Sequence, residues 1–355
     1  MDQQDLFPSF DIDIPSLIRL VKEKGYSSVL LQLPEGMKRG ALSLADLIEK
    51  ETGAKVLVDG ELCYGACDHA GARARLLGID AVVHLGHSDI PSMKSEFSVP
   101  VHFFHAPMRI PDGMMEKGLK KVLEKDTSKS FGLAAPIQHV DQLETLKEML
   151  EESGRNARIG PPSPRERFTG QVLGCSFGSP RSISEDVKAF IYLGTGRFHP
   201  LGMVSAVKKR VWALDPISGD VTEYGREDLD RFLRKRFAAI NSAGDLIRKG
   251  KRVGIVVGTK PGQMRMGLAD DSLEACKRKG VNCYLVAMDQ IDPMKLRSLQ
   301  IRVAVITACP RIAYDDICRY REENITVITA NELMIALGME EWEGHSFYEN
   351  WDGSS

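Results

Sequence analysis

Runs of Val, Ile and Leu recur along the whole chain, separated by amphipathic helical patterns, and this alternation restricts the fold more than any other feature. Short, nearly continuous apolar runs read as strands buried on both faces, and strands alternating with helices build parallel sheets from βαβ units. One group of strands is predicted at residues 28–33, 55–58, 81–85 and 101–104. A second lies at 132–135, 171–173, 190–193 and 211–214, and a third at 253–257, 282–286, 302–306 and 326–328. Helices are expected near 38–51, 141–152 and 226–251. The last puts Leu229, Phe232, Leu233, Phe237 and Ile240 on one face and Arg234, Lys235 and Arg236 in solvent. Local echoes support a threefold repeat: Pro34-Glu35-Gly36-Met37 matches Pro261-Gly262-Gln263-Met264, and Leu85-Gly86 matches Leu193-Gly194. The expected fold class is therefore α/β, with three similar domains at 1–125, 126–245 and 246–355, each a small parallel sheet flanked by helices.

At 355 residues and 43% apolar content the chain can bury several cores of this kind. Its 47 basic and 49 acidic residues leave a net charge of −2, which gives neither nucleic acid nor an anionic membrane a reason to bind. No apolar run approaches the roughly 18 residues that span a bilayer, and the first residues lack the basic region of a signal peptide. A cytoplasmic protein is expected. The loop at 160–167, with three prolines, reads as a rigid surface insertion. The acidic tail after Gly338 carries Trp342, Phe347, Tyr348 and Trp351, aromatics available for packing on a neighbouring surface.

Seven cysteines in such a chain read as metal ligands, catalytic groups or buried side chains, not as a disulfide framework. Cys276, Cys283 and Cys318 fall in helix and strand patterns where a thiol packs as a small apolar group. Cys63, Cys175 and Cys309 differ, because each follows an apolar run and sits in a small turn. Their separation rules out a local metal knuckle; they meet only if successive α/β units each present one strand-end thiol to a common centre. Cys63 and Cys175 are expected after the second strand of their units, and Cys309 after the third. Three thiolates on a 4Fe-4S cluster leave one iron without a protein ligand, an arrangement suited to substrate chemistry.

Several motifs fail. Cys63-Tyr64-Gly65-Ala66-Cys67 begins the C-x3-C-x2-C triad of common radical S-adenosylmethionine enzymes, but Ala70 stands at its third position. Cys63, Cys67 and His69 lack a fourth ligand nearby for a closed zinc site. Gly194-Thr195-Gly196-Arg197-Phe198-His199 has His where a dinucleotide fingerprint needs its third Gly, and no phosphate-cradling G-x-x-x-x-G-K-[ST] occurs. What remains are glycine-rich turns at strand ends, where open parallel sheets bind ligands. The candidate contacts are Pro34, Glu35, Gly36, Gly194, Gly196, His199, Gly258, Gly262, Gln263 and Arg311, with Gln263 and Arg311 the candidates for a ligand carboxylate.

Taken together, Leu33-Pro34-Glu35-Gly36, Asp59-Gly60-Glu61-Leu62-Cys63-Tyr64-Gly65-Ala66-Cys67, Leu173-Gly174-Cys175-Ser176-Phe177-Gly178, Gly194 to Pro200 and Thr307-Ala308-Cys309-Pro310-Arg311 resemble the archaeal diphthamide synthase family, 2-(3-amino-3-carboxypropyl)histidine synthase. The resemblance covers the whole chain. It implies three α/β domains around a central 4Fe-4S cluster ligated by Cys63, Cys175 and Cys309, and a homodimer. It also implies transfer of the 3-amino-3-carboxypropyl group of S-adenosylmethionine to a histidine of translation elongation factor two. That chemistry is radical and draws on an external electron donor; the cluster carries it, so no side-chain acid or base is expected. Two alternatives are a quinolinate synthase-like enzyme, whose open iron acts as a Lewis acid, and a non-catalytic cluster-bearing partner subunit.

Overall fold

The computed structural model describes residues 6–93 and 99–342. After helix α1 (Ile14–Lys24) the first sheet forms from β1 (Ser28–Gln32), β2 (Lys55–Val58), β3 (Ala81–Leu85) and β4 (Val101–Phe104), with α2 (Ala41–Thr52) and α3 (Gly71–Leu76) in its crossovers. The second comprises β5 (Ser130–Ala134), β6 (Asn156–Ile159), β7 (Ala189–Leu193), β8 (Val211–Leu214) and β9 (Val221–Tyr224), accompanied by α4 (Met114–Lys125), α5 (Leu143–Glu152), α6 (Gly178–Ser182) and α7 (Phe198–Val207). A long helix, α8 (Arg226–Arg248), leads into the third. That sheet holds β10 (Val253–Gly258), β11 (Cys283–Met288), β12 (Val303–Ile306) and β13 (Thr326–Thr329), with α9 (Met266–Arg278), α10 (Pro293–Ser298), α11 (Arg311–Tyr314), α12 (Ile317–Glu322) and α13 (Ala330–Ala336).

One strand order is used three times. The sheets read β2-β1-β3-β4, β6-β5-β7-β8-β9 and β11-β10-β12-β13, so the first strand of each group is interior and the chain reverses direction between first and third. All pairings in the first and third sheets are parallel. Reversal of strand order opens a crevice at the carboxyl ends of the two strands concerned, where α/β sheets take their ligands. Alternation along the strands fills both faces of a sheet: Val29 and Leu31 enter one apolar cluster with Leu17, Leu44 and Ile48, while Leu30 faces Ala74 and Val82. In the third sheet Val253, Ile255 and Val257 pack with Leu333, and Val256 with Leu296 and Tyr320.

The chain divides into two compact units. One holds the described residues up to Leu173, Phe177–Met203 and Lys209–Glu223, hence the first two sheets. The other holds Gly174–Ser176, Val204–Lys208 and the described residues from Tyr224, hence the third sheet and also Cys175.

Several expectations need correction. Residues 171–173 form no strand; Gln171 makes a single bridge to Ala135, and the second strand of that sheet is β6. The loop at 160–167 is not merely superficial. Arg165 and Glu166 are buried, and the Glu166 carboxylate accepts from the Ser163 and Gly178 amides at 2.7 and 3.0 Å. On α8 the inner stripe is Leu229, Phe232, Arg236, Ala239, Ile240 and Ala243, so Arg236 is buried whereas Phe237 is exposed. Arg236 is satisfied by a bidentate pair with Glu332 and by the carbonyls of Ala313 and Val327. Cys276 is buried as expected and Cys283 half-buried, but Cys318 is exposed on α12. Trp342 packs edge-to-face on Phe237 at 5.0 Å; Phe347, Tyr348 and Trp351 lie outside the described residues. Among the described residues no helix is long and apolar enough to cross a membrane.

Candidate functional site

The three loops leaving the carboxyl ends of β1, β2 and β3 are tied into one assembly. Lys38, in the short 3-10 helix (Glu35–Gly40) that follows Pro34, donates to the carbonyls of Gly60 at 3.0 Å and Glu61 at 2.7 Å and pairs with Glu35. It thereby holds the start of the Cys63 loop against the Pro34-Glu35-Gly36 turn. Gly86, after β3, has φ +82°, and a β-carbon there would meet Met37 Sδ and Pro34 Cγ at 3.0 Å. A side chain would be both strained and crowded, so glycine is what lets the first and third loops touch. Asp59 at the loop's start is buried and pairs with Arg73 at 2.6 Å.

The far end of the Cys63 loop is held by Gln32, the last residue of β1. Its amide Nε2 donates to the Asp68 carbonyl at 2.8 Å, and its Oε1 accepts from the Ala70 amide at 2.9 Å. These partners fix which end of the amide is oxygen. The same Oε1 lies 2.9 Å from Nδ1 of His84, so that nitrogen carries the proton and donates. His84 Nε2 is then a bare lone pair, which accepts from His87 Nδ1–H at 2.9 Å and lies 3.9 Å from Cys63 Sγ. Cys63 and His84 are buried, His87 half-buried, and Phe103 covers the His84 ring with centroids 4.8 Å apart.

Burial dominates the proton chemistry here. It pushes the Cys63 thiol up to about 12, helped by Asp68, so without a metal the group is an inert thiol. His87 is lowered to about 4 by burial, His69 to about 4 by burial and then Arg73, and His84 well below its ordinary value by burial and then its two histidine neighbours. All three imidazoles are neutral at pH 7, the form that ligates metals.

In the second sheet, Gly194 and Gly196 occupy the turn between β7 and α7, and His199 stacks on Tyr192 with centroids 5.8 Å apart. Cys175 lies between β6 and β7, as Cys63 lies between β2 and β3, and is half-buried. In the unit of the third sheet, Gly258 ends β10 where a β-carbon would meet Ala308 Cβ at 2.9 Å, next to Cys309. Gly262 and Gln263 form the turn after Lys260; both Lys260 and Gln263 are buried. Half-buried Cys309 follows β12, the third strand, which preserves the expected asymmetry. Arg311 is exposed and pairs with Asp315 at 3.3 Å, an (i, i+4) contact along its own helix.

The structure thus joins Cys63 to Gln32, His84 and His87, none of the last three singled out from sequence. A histidine in the buried strand Ala-Val-Val-His-Leu was the available signal. Glu166 and Lys260, charged and buried near strand ends, were also missed; neither stands out in a charged loop.

A family model described as "Putative diphthamide synthesis protein" matches residues 33–347. The chain belongs to the diphthamide synthesis family. It is 35% identical over 332 residues to 2-(3-amino-3-carboxypropyl)histidine synthase of Pyrococcus horikoshii, covering 93% of this chain and 92% of that protein. To human 2-(3-amino-3-carboxypropyl)histidine synthase subunit 1 it is 29% identical, covering 98% of this chain and 76% of that one. Crystalline Dph2 from Pyrococcus horikoshii with a 4Fe-4S cluster superposes with a TM-score of 0.82 at 33% identity, covering 96% of this chain and 94% of that chain. The diphthamide synthesis family therefore takes precedence over the quinolinate synthase alternative. The donor types present fit a cluster of that kind: Cys63, Cys175 and Cys309 are cysteines outside any disulfide on strand-end loops, and a buried thiol such as Cys63 gives up its proton to a soft cation.

Proposed function

We propose that this chain is a 2-(3-amino-3-carboxypropyl)histidine synthase, a transferase that moves the 3-amino-3-carboxypropyl group of S-adenosylmethionine onto a histidine of translation elongation factor two, the first step of diphthamide formation. Full-length likeness to a cluster-bearing Dph2 carries this reading. Cys63, Cys175 and Cys309 are the proposed ligands of one 4Fe-4S cluster, with Lys38 and Gln32 holding the Cys63 loop at its two ends. When bound, such a cluster supplies the electron that breaks the methionine-side C–S bond. The protein's part is to bind, orient and exclude water. Gly258, Gly262, Gly194, Gly196 and the Pro34-Glu35-Gly36 turn admit the ligand to the backbone. Gln263 meets the ligand carboxylate, as does Arg311 once it exchanges Asp315 for that anion. His199 packs beside it, held by the Tyr192 ring. The three α/β repeats act as domains at 1–125, 126–245 and 246–355, in a cytoplasmic homodimer served by an external reductant.

The test is anaerobic reconstitution followed by paramagnetic resonance of the dithionite-reduced protein with and without S-adenosylmethionine, and mass measurement of added elongation factor. A changed spectrum and a gain of one 3-amino-3-carboxypropyl group are expected. Cys63→Ala, Cys175→Ala and Cys309→Ala should each lose cluster and transfer together. A spectrum indifferent to S-adenosylmethionine, with an unmodified elongation factor, overturns the proposal.

A further inference from the structure

Cys63 Sγ, a nitrogen of His84 and one of His87 all lie within 4.8 Å of one another, a donor set that the proposed transfer does not use as a set. Gln32 fixes its orientation, taking the Nδ1 proton of His84 and leaving Nε2 aimed at the sulfur and at His87. A metal-ligating histidine shows this arrangement, with one nitrogen donating to an acceptor in the outer shell and the other on the ion. Around a tetrahedral zinc ion, bond lengths of about 2.3 Å to sulfur and 2.05 Å to nitrogen place nitrogens about 3.4 Å apart and nitrogen about 3.6 Å from sulfur. The observed separations are 2.9 Å between the two histidine nitrogens and 3.9 Å between His84 and Cys63. Those two pairs need shifts of only about 0.3–0.5 Å, and the third, His87 to Cys63, lies within 4.8 Å and closes by up to about 1.2 Å around an ion, a movement open to half-buried His87.

We propose that Cys63, His84 and His87 form a mononuclear site for a divalent ion of the zinc and ferrous class, with its fourth position open. On binding, the thiol proton leaves to solvent, and the His87 proton moves from Nδ1 to Nε2 so that Nδ1 can ligate. Half-buried His87 is the point of access. The inference goes beyond the transferase reading and does not need it, with one shared consequence: an ion on Cys63 and a cluster on Cys63 exclude each other.

The test uses full-length, cluster-free protein under argon, titrated with cobalt(II) and then zinc(II). Expected are one cobalt per chain, a thiolate-to-cobalt charge-transfer band with tetrahedral ligand-field bands, and displacement of both by zinc. His87→Gln and His84→Ala should each weaken cobalt binding at least about tenfold, and Cys63→Ala should abolish the charge-transfer band. Cys175→Ala and Cys309→Ala should leave the spectrum intact. A wild-type spectrum without the charge-transfer band overturns the site. So does a band that survives the histidine changes but is lost with Cys175 or Cys309, since that assigns the ion to the three thiols. Neither result bears on S-adenosylmethionine chemistry, which is read from the reconstituted protein.

Discussion

Arg236→Met should be among the most destabilising single changes in the unit of the third sheet. The guanidinium is buried with its Nε and Nη2 on Glu332 at 2.7 and 2.5 Å, its Nη1 on the Ala313 carbonyl at 2.8 Å, and Nη2 also on Val327 at 3.1 Å. Removing it leaves the equally buried Glu332 carboxylate with the Thr329 amide and no counter-charge. Orphaning one member of a buried pair costs about 3–5 kcal/mol. At 1.4 kcal/mol per tenfold, amides of β12 and β13 that exchange by opening of this unit should then exchange about 10² to 4 × 10³ times faster, measured by native-state hydrogen exchange with mass spectrometry. The double change Arg236→Met, Glu332→Leu removes both charges. It should return to within about 2 kcal/mol of wild type, about 1 kcal/mol of the remainder being the lost cap of α13 at Thr329. A single variant within 1 kcal/mol of wild type, or a double variant worse than the single, would refute the reasoning.

His139 is buried and its pKa lowered to about 4, by burial against a smaller opposing pull from Asp215. The unfolded chain binds a proton there below about pH 6.5 that the folded chain refuses until about 4, so stability falls across that window as pH drops, by roughly 3 kcal/mol in all. His139→Gln should flatten this part of the urea-midpoint profile; an unchanged slope contradicts it. Gly160→Ala drives a β-carbon into the Ser179 carbonyl oxygen, between backbone segments that precede and follow Cys175, and should cost about 2–3 kcal/mol in urea unfolding. Wild-type stability would mean the two segments part easily. Lys38→Met should cost only about 1 kcal/mol globally, because the ammonium is partly solvated, yet speed loss of metal from Cys63 to a chelator several-fold. An unaltered off-rate would show that the loop needs no such tether.

Strands with a continuous apolar run were legible to the residue: 55–58, 81–85, 101–104 and 211–214 have the predicted bounds, although only 81–85 and 211–214 are buried throughout. The misses were strands with little apolar content. In β6 only Ala157 is buried, and β9 is Val-Thr-Glu-Tyr, exposed at its centre, so neither carries a hydrophobic signature. Val172 and its neighbours mimicked a strand because that run is buried through side-chain bonds: the Gln171 amide accepts from Arg167 and Phe168 and donates to Ser88. On α8 a stripe running 229, 232, 236, 239 and 243 was present in the spacing, but three consecutive basic residues disguised the one that faces inward. Of the candidate site, the strand-end thiols and glycine turns were readable because turn residues and cysteines are conspicuous. His84 and His87 were not, since their meaning depends on which strands lie side by side.

The Cys63 loop is moored at both ends to residues of a single neighbouring strand and the turn beyond it, through Gln32 and Lys38. Its conformational entropy is therefore lost when the sheet assembles, ahead of any encounter with iron or zinc. Capture of a metal there is a near-rigid event whose affinity reflects ligand strength with little deduction for ordering. The apo and loaded chains should accordingly share one backbone around residue 63.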